Sequence, residues 1–400
     1  MKTVLMGGDQ TAPAANEYHG FFSFSSNTQW GASEVAGKRG LIPCAGTLSN
    51  LYVSVVTAPG AGTSVIYTVY KNGSSTALAV TISETSTSGS NLSDSISLSA
   101  GDWISIRVTV TGSPVLAVSR FSATFNSSSV KQSIMIGGRI ASFSALRYTG
   151  FCSGGSLQLS DATVSEVYGI AGTLKNLYVE CSAAPGASKS WVFTVYKNGS
   201  STAITCTVSG SDTIANDTVN TLAVLPNDVL SLEINPVNTP AGMAVNYGVQ
   251  FDPTTDGEFP ISGYETGNMT NNATRYRNIE GGNGGWNATE SSINMLAGES
   301  FKIKNLYVRT GAAPGAGNSY TFTIYNGGSS SALSAVLSDA VTGGSDTINS
   351  IIVAAGSTLS IAEVPASLPT TTTACWGMTG YFDIASGGIM TTRKGWWGDI

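Results

Sequence analysis

One histidine, His19, in 400 residues is the sharpest deficit of this sequence, and it removes most His-dependent catalytic triads and histidine-built zinc sites at a stroke. Charge is scarce too. Asp, Glu, Lys and Arg make up 11% of the chain, and a net charge of -6 spread without runs offers no basic stripe to neutralise phosphates or anionic lipid heads. Nucleic acid and membrane are therefore not expected as partners. No segment approaches the roughly 20 consecutive apolar residues that span a bilayer, and the opening Met1-Lys2-Thr3-Val4-Leu5-Met6-Gly7-Gly8 has too short an apolar run for an export signal. The five cysteines, Cys44, Cys152, Cys181, Cys206 and Cys375, include no C-x-x-C pair, so neither a zinc site nor a disulfide framework is implied. Cys181 and Cys206 fall on strands of one region, where a bridge depends on geometry the sequence does not supply; buried free thiols are the simpler reading.

What the chain has in abundance is repetition. Asn-Leu-Tyr-Val occurs at residues 50–53, 176–179 and 305–308, each time followed at a matching distance by Ala-Pro-Gly. Each copy continues through a Tyr-Lys-Asn-Gly run at 70–73 and 196–199, written Tyr325-Asn326-Gly327-Gly328 in the third. The period is about one small domain, on the order of 130 residues, far longer than a solenoid repeat. Val4-Leu5-Met6-Gly7-Gly8 resembles Ile134-Met135-Ile136-Gly137-Gly138, which places the start of the chain inside the first copy. A residue proposed for chemistry can thus be checked against two sister positions.

Within a copy, apolar residues alternate. Val65, Tyr67 and Val69 point one way and Ile66, Thr68 and Tyr70 the other, up to the hairpin signal Lys71-Asn72-Gly73. Ala77-Leu78-Ala79-Val80-Thr81-Ile82 returns, Ser95-Ile96-Ser97-Leu98 leads through Gly101-Asp102 into Trp103-Ile104-Ser105-Ile106, and Phe121-Ser122-Ala123-Thr124-Phe125 closes the unit. About eight strands and no helix per copy predict an all-β protein of three tandem jelly-roll-like β-sandwiches. The expected boundaries are 1–128, 129–254 and 255–389, with a tail at 390–400. The polar joints Asn126-Ser127-Ser128-Ser129 and Asp252-Pro253-Thr254-Thr255-Asp256-Gly257 are short, so the copies stack as a rod or close around a pseudo-threefold axis.

The ordered run Asn176-Leu177-Tyr178-Val179, Ala184-Pro185-Gly186, Thr194-Val195-Tyr196-Lys197-Asn198-Gly199 and Gly210-Ser211-Asp212-Thr213 resembles a repeat of virion proteins of tailed bacteriophages, found in head-decoration, fibre and other exterior proteins; the likeness covers about 70 residues of each copy. The Tyr-Lys-Asn-Gly hairpin followed by Gly101-Asp102 is also similar to the trimeric jelly rolls of the complement and tumour-necrosis-factor type. The resemblance implies a structural or adhesive role on a virion exterior, with other virion proteins and further copies of itself as partners, a homo-oligomer or trimer included, and no catalytic residue to carry over. An exterior location without an export signal agrees, since a phage protein leaves by lysis. The third copy departs from the pattern at Asn326, where Lys is lost, and at Ser357, where Asp is lost; a charge essential to function would be kept.

No catalytic, cofactor-binding or metal-binding residue is expected. Asp102 and Asp228 occupy equivalent turns, as do Asp212 and Asp346 in Gly-Ser-Asp-Thr-Ile, so turn geometry explains these acids more simply than paired-carboxylate hydrolysis or calcium binding. Trp30 and Trp286 stand at like distances ahead of Asn-Leu-Tyr-Val; Leu157 or Leu159 in the second copy makes core packing the simpler reading and a sugar platform the alternative. The stretch with Tyr264, Arg275, Tyr276 and Arg277, followed by Gly281-Gly282-Asn283-Gly284-Gly285, mixes aromatic, amide and arginine groups on expected loops. Either it contacts a partner or it is a long solvated connection. Arg393, Trp396 and Trp397 in the tail would leave two rings wet, so the tail is expected to dock on its own third copy or on a neighbouring subunit. The leading expectation is a non-enzymatic virion surface protein; the alternative is a carbohydrate-binding adhesin that meets a host-surface glycan.

Overall fold

The computed structural model describes residues 1–21, 24–25, 30–35, 38–152, 157–282 and 285–383. The chain is all-β; among the described residues only two single turns of 3-10 helix, Asp161–Thr163 and Glu290–Ser292, interrupt the strands. The tail with Arg393, Trp396 and Trp397 lies outside the described residues.

The first copy contributes eight strands that recur in the other copies, in chain order Lys2–Asp9, Tyr18–His19, Gly46–Val55, Gly60–Lys71, Ser74–Glu84, Ser88–Leu98, Trp103–Thr111 and Ser119–Ser127, and a short strand of its own, Phe24–Ser25, parallel to the first. Their sheets run first-eighth-third-sixth and second-seventh-fourth-fifth, the jelly-roll order. The second copy repeats it with Ser133–Phe143, Arg147–Thr149, Gly172–Cys181, Gly186–Lys197, Ser200–Gly210, Ile214–Val224, Val229–Val237 and Met243–Pro253. The third does so with Glu258–Glu265, Arg275–Arg277, Phe301–Thr310, Gly315–Asn326, Ser329–Asp339, Gly343–Val353, Thr358–Ala366 and Ala374–Tyr381. Between the second and third strands of each copy, a two-residue strand (Gly40–Leu41, Glu166–Val167, Met295–Leu296) pairs with the seventh.

Local chemistry accounts for the repeated motifs. Along Gly60–Lys71, Val65, Tyr67 and Val69 are buried between the sheets while Ile66, Thr68 and Tyr70 stay half-exposed. The hairpin that follows needs two left-handed residues, supplied by Asn72 (φ 48°) and Gly73 (φ 81°), by Asn198 and Gly199, and by Gly327 and Gly328. The Asn of Asn-Leu-Tyr-Val is left-handed in every copy (φ 54°, 53° and 56°) and sits where the third strand slips register against the sixth. It is a β-bulge, which Asn tolerates better than a branched residue.

Two sequence pairings gain a physical reason. Lys71 pairs with Asp102 at 2.9 Å and Lys197 with Asp228 at 2.7 Å, so the Lys and Asp lost together in the third copy are two halves of one contact. There, Asn326 donates to Ile352 O at 3.0 Å, as Lys71 does to Ser97 O and Lys197 to Ala223 O. The equation of Asp212 with Asp346 needs correction: Leu306 faces Asp346 and Leu177 faces Asp217, so Asp217 is the structural sister. Asp217 Oδ1 accepts from Val219 N and Asn220 N at 3.0 Å each, and Asp346 Oδ1 holds Ile348 N and Asn349 N likewise at 3.1 and 3.0 Å. Hydrogen bonding to the carboxylate offsets burial and lowers the pKa of both acids.

The copies close on one another cyclically. The eighth strand of the first copy meets Met295–Leu296 of the third, that of the third meets Glu166–Val167 of the second, and that of the second meets Gly40–Leu41 of the first. Three such contacts in rotation make a closed, pseudo-threefold ring rather than a rod. The first strands meet at its centre around a cavity of only about 20 Å³ lined by Thr3, Met6, Ile134, Ile136 and Pro260. The backbones approach very closely: a side chain on Gly377 would collide with Val167 O, and one on Gly248 with Leu41 O. At the sister junction the small residues trade places, Gly298 N donating to Ser122 Oγ at 2.9 Å.

Overpacking this contact should be costly. Gly377→Val is expected to lower the unfolding free energy by about 1–3 kcal/mol or more, read by urea denaturation, whereas Gly343→Ala, whose new methyl would lie 3.7 Å from Val308 O, should stay within about 0.5 kcal/mol of the parent. Equal stability of the two variants would refute the close approach.

Candidate functional site

The side chains singled out in the stretch expected to be a loop sit on strands, while residues 266–274 between them are loop. Tyr264 lies on the first strand of the third copy and is buried at 1% exposure, and Arg277 ends the second strand at 0%. Neither can meet a partner. Arg277 Nε faces Glu265 Oε2 at 2.7 Å, and Glu265 also accepts from Gly267 N at 2.8 Å and Gly285 N at 3.0 Å. Burial, only partly offset by Glu265, lowers the pKa of Arg277. The first copy has a histidine version of this arrangement: His19 Nε2 is 3.8 Å from Asp9 Oδ2, and Asp9 Oδ1 holds Thr11 N at 2.9 Å. The His19 ring lies 4.9 Å from Trp30 and 5.4 Å from Phe121, and its burial lowers its pKa. Both pairs tie the end of the first strand to the second, and neither lies in an open cleft.

Tyr276 and Arg275 are half-exposed on the outer face. Tyr276 meets Tyr325 edge-on at 5.2 Å, as Tyr18 meets Tyr70 at 5.4 Å and Tyr148 meets Tyr196 at 5.6 Å. Beside each pair a serine hydroxyl donates to a carboxylate: Ser105 to Glu34, Ser231 to Asp161, and Ser360 to Glu290 at 2.9 Å. Recurrence in all three copies, whose junctions and tips otherwise differ, is what a contact serving the fold itself would show. Trp286 is half-buried, 5.7 Å from Trp376 and 6.4 Å from Phe322, and packs against the third core; Trp30 is buried, and Leu157 packs at the sister position. The five cysteines are free thiols, Cys181 and Cys206 included, and burial pushes the Cys181 thiol up to about 12.

What sets one region apart is the comparison of the three junctions. Between copies one and two, the Arg39 guanidinium sits 3.7 Å over the Trp103 ring and pairs with Glu180 at 2.6 Å, while Asn246 Nδ2 donates to Glu180 at 2.8 Å. Between copies three and one, Arg120 Nε donates to Asn294 O at 2.8 Å, a second Arg120 nitrogen reaches Ser291 O, and Lys2 pairs with Glu299. Between copies two and three the equivalents of Arg39, Trp103 and Arg120 are Ser165, Val229 and Cys375, and the described residues build no such plug. Arg309, in the place of Ser54 and Glu180, instead donates to Asn227 Oδ1 at 3.0 Å and Asn227 O at 2.7 Å.

Toward the axis the same junction is polar where the others are apolar. Gly40 faces Ile136, Met295 shares a core with Met6, but Glu166 accepts from Ser262 Oγ at 3.1 Å. Phe151 N at 2.9 Å and Cys152 N at 3.1 Å also donate to Glu166, yet burial outweighs these bonds and pushes its carboxyl up to about 7. Glu166 and Arg309 escaped sequence reasoning because neither belongs to a motif. The available signal was their departure from sisters, Gly40 and Met295 for one and Ser54 and Glu180 for the other. Among the described residues no group of three His, Cys, Asp or Glu side chains is arranged to hold a metal ion, and no helix is long and apolar enough to cross a membrane.

No protein-family model matches the chain, and no curated protein is significantly similar to it.

Two outcomes follow from the buried charges. Arg277→Met leaves Glu265 without its cation and should cost about 3–5 kcal/mol in urea unfolding, much of it restored in the double variant Glu265→Gln/Arg277→Met; an unaltered midpoint would return Arg277 to the surface. A carboxyl whose pKa is raised on folding stabilises most below the unfolded value of 4.5, and the effect is lost as pH rises through about 7. Glu166→Gln should therefore gain stability over the parent between about pH 5 and 8, by up to about 3 kcal/mol. Glu363, also pushed up to about 7 by burial, is present in both proteins and cancels. A pH-independent difference would contradict this reading of Glu166.

Proposed function

We propose that this chain is a non-enzymatic structural protein of a virion surface, a head-decoration or fibre-like component, that acts by docking on other virion proteins and by self-association. The observation that carries the reading is the closed ring of three jelly rolls in one polypeptide. A ring with three like faces complements a threefold or quasi-threefold position on a shell of repeating subunits, because each copy can offer the same patch to a symmetry-related site. Each copy also carries an exposed apolar tip on its sixth strand: Leu92, Val219 and Ile348 are 59%, 85% and 92% exposed. The bulges that carry Val219 and Ile348 in the second and third copies are held by Asp217 and Asp346, so exposure of an apolar group there is built in rather than incidental. A surface of hydroxyls and amides with few charges keeps such a component insensitive to salt.

The reading is tested by sedimenting intact particles with added protein. Native protein is expected to co-sediment at a fixed ratio to the shell subunit. The triple change Leu92→Asp, Val219→Asp and Ile348→Asp should lower the bound fraction at least tenfold with an unchanged melting profile. Failure of the native protein to associate with particles would defeat the proposal.

A further inference from the structure

The junction of the second and third copies contains an open cleft of about 640 Å³, within the range of roughly 300–1000 Å³ usual for small-ligand sites. It exists because Ser165, Val229 and Cys375 stand where arginine and tryptophan fill the other two junctions. Both copies line it. The second contributes Asp161, Asn198 and Asp228 with an apolar strip of Pro226 and Val229; the third contributes Arg309, Thr310 and Thr373.

The distribution of charge restricts what can enter. Asp228 is committed to Lys197 at 2.7 Å and to Asn198 Nδ2 at 2.8 Å, and Asp161 accepts from Ser165 Oγ at 3.0 Å and from Ser231. Arg309 uses two of its three nitrogens on Asn227. An anion would meet two carboxylates and a cation would meet the guanidinium, so neither sign of charge is favoured throughout the cleft. A wholly apolar ligand would strip water from these groups without replacing its hydrogen bonds. Vicinal hydroxyls satisfy the set, since each can donate to a carboxylate or amide oxygen and accept from an amide, hydroxyl or guanidinium, while a C–H face lies on Pro226 and Val229.

From this geometry we infer that the cleft between the second and third copies is a binding site for a short neutral oligosaccharide. The side chain that sets the site apart is Arg309, held in position by Asn227, while Asp161 and Asn198, which have counterparts in the sister copies, line the second copy's side of it. The assignment is independent of docking on a virion, and neither Trp286 nor Tyr276 lines the cleft. Among the described residues arginine occupies the equivalent place at the other two junctions, so one site per chain is expected in spite of the threefold repeat.

Saturation-transfer NMR on the full chain tests it with a panel of maltotriose, cellotriose, chitotriose and lactose, and trigalacturonate as the charged control. At least one neutral sugar should bind, one per chain. Val229→Trp, which restores the ring found at Trp103, should weaken it at least tenfold. Asn227→Gly, whose replacement is the residue at the sister positions 101 and 356, should weaken it severalfold by releasing Arg309, and it guards against misfolding of the tryptophan variant. Trp286→Ala should leave binding unchanged. The inference is overturned if no neutral sugar binds, if only trigalacturonate binds, or if Val229→Trp and Asn227→Gly both bind as the parent does. Co-sedimentation of Val229→Trp with particles should match the parent, so loss of sugar binding and loss of docking are read separately.

Discussion

Everything in this molecule depends on three places where a strand of one jelly roll comes within backbone contact of a short strand of the next. Such an approach tolerates almost no side chain, and the chain meets it with Gly248 and Gly377 on two eighth strands and with Gly298 opposite Ser122 on the third. The close approach lets the first strands bury their outer faces on a neighbour: Ile134 and Ile136 belong to the first core, and Val4 and Met6 to the third. Because these faces are apolar on both sides, no copy could stand alone without exposing them, and the ring is part of the fold rather than an association of finished parts.

Identical junctions would permit a copy to close on the wrong neighbour, or on a neighbouring chain. The three are instead individually complementary. A glycine opposite isoleucine, a methionine beside methionine and a carboxyl opposite a serine hydroxyl are each satisfied at their own position and mismatched elsewhere. Placing Glu166 against Ile136 would bury a carboxyl with no hydroxyl donor, and placing Gly40 against Ser262 would leave a void. Divergence among repeats that share one scaffold thereby acts as an address system for a single chain, at some cost in stability at the polar junction.

Strand count, sandwich class and hairpin positions were legible in the sequence because alternation and left-handed turn residues are local signals that recur three times. Asn50, Asn72 and Gly73 announce their backbone conformation by their identity. The ring was not legible, because rod and ring differ only in which outer faces meet, and Val4 or Ile136 looks the same in a core as in a junction. The second strand left a weaker signal for a related reason: Arg275-Tyr276-Arg277 and Tyr18-His19 are too short and too polar to show a period, although their backbone pairing to the seventh strand places them firmly. Polar side chains buried by a neighbour, such as Arg277 and Glu265, are read from sequence as surface because their partners lie on another strand.

The pairing of Asp346 with Asp217 instead of Asp212 shows where motif matching goes astray. Gly-Ser-Asp-Thr-Ile occurs in both copies, but the β-bulge at Asn176 and Asn305 fixes which residue of the sixth strand lies opposite Leu177 and Leu306. An acceptor is needed at that place, to hold the amides of the bulge that carries Val219 or Ile348, and the Asn91 amide oxygen does the same for Ser93 and Asp94 in the first copy. The requirement is for an acceptor at one register position rather than for a string of residues. A short motif copied five residues away satisfies the string and not the requirement. The same distinction separates scaffold from function here: groups kept in all copies answer to the fold, and the ones that break ranks, Glu166, Val229 and Arg309, all gather at a single junction.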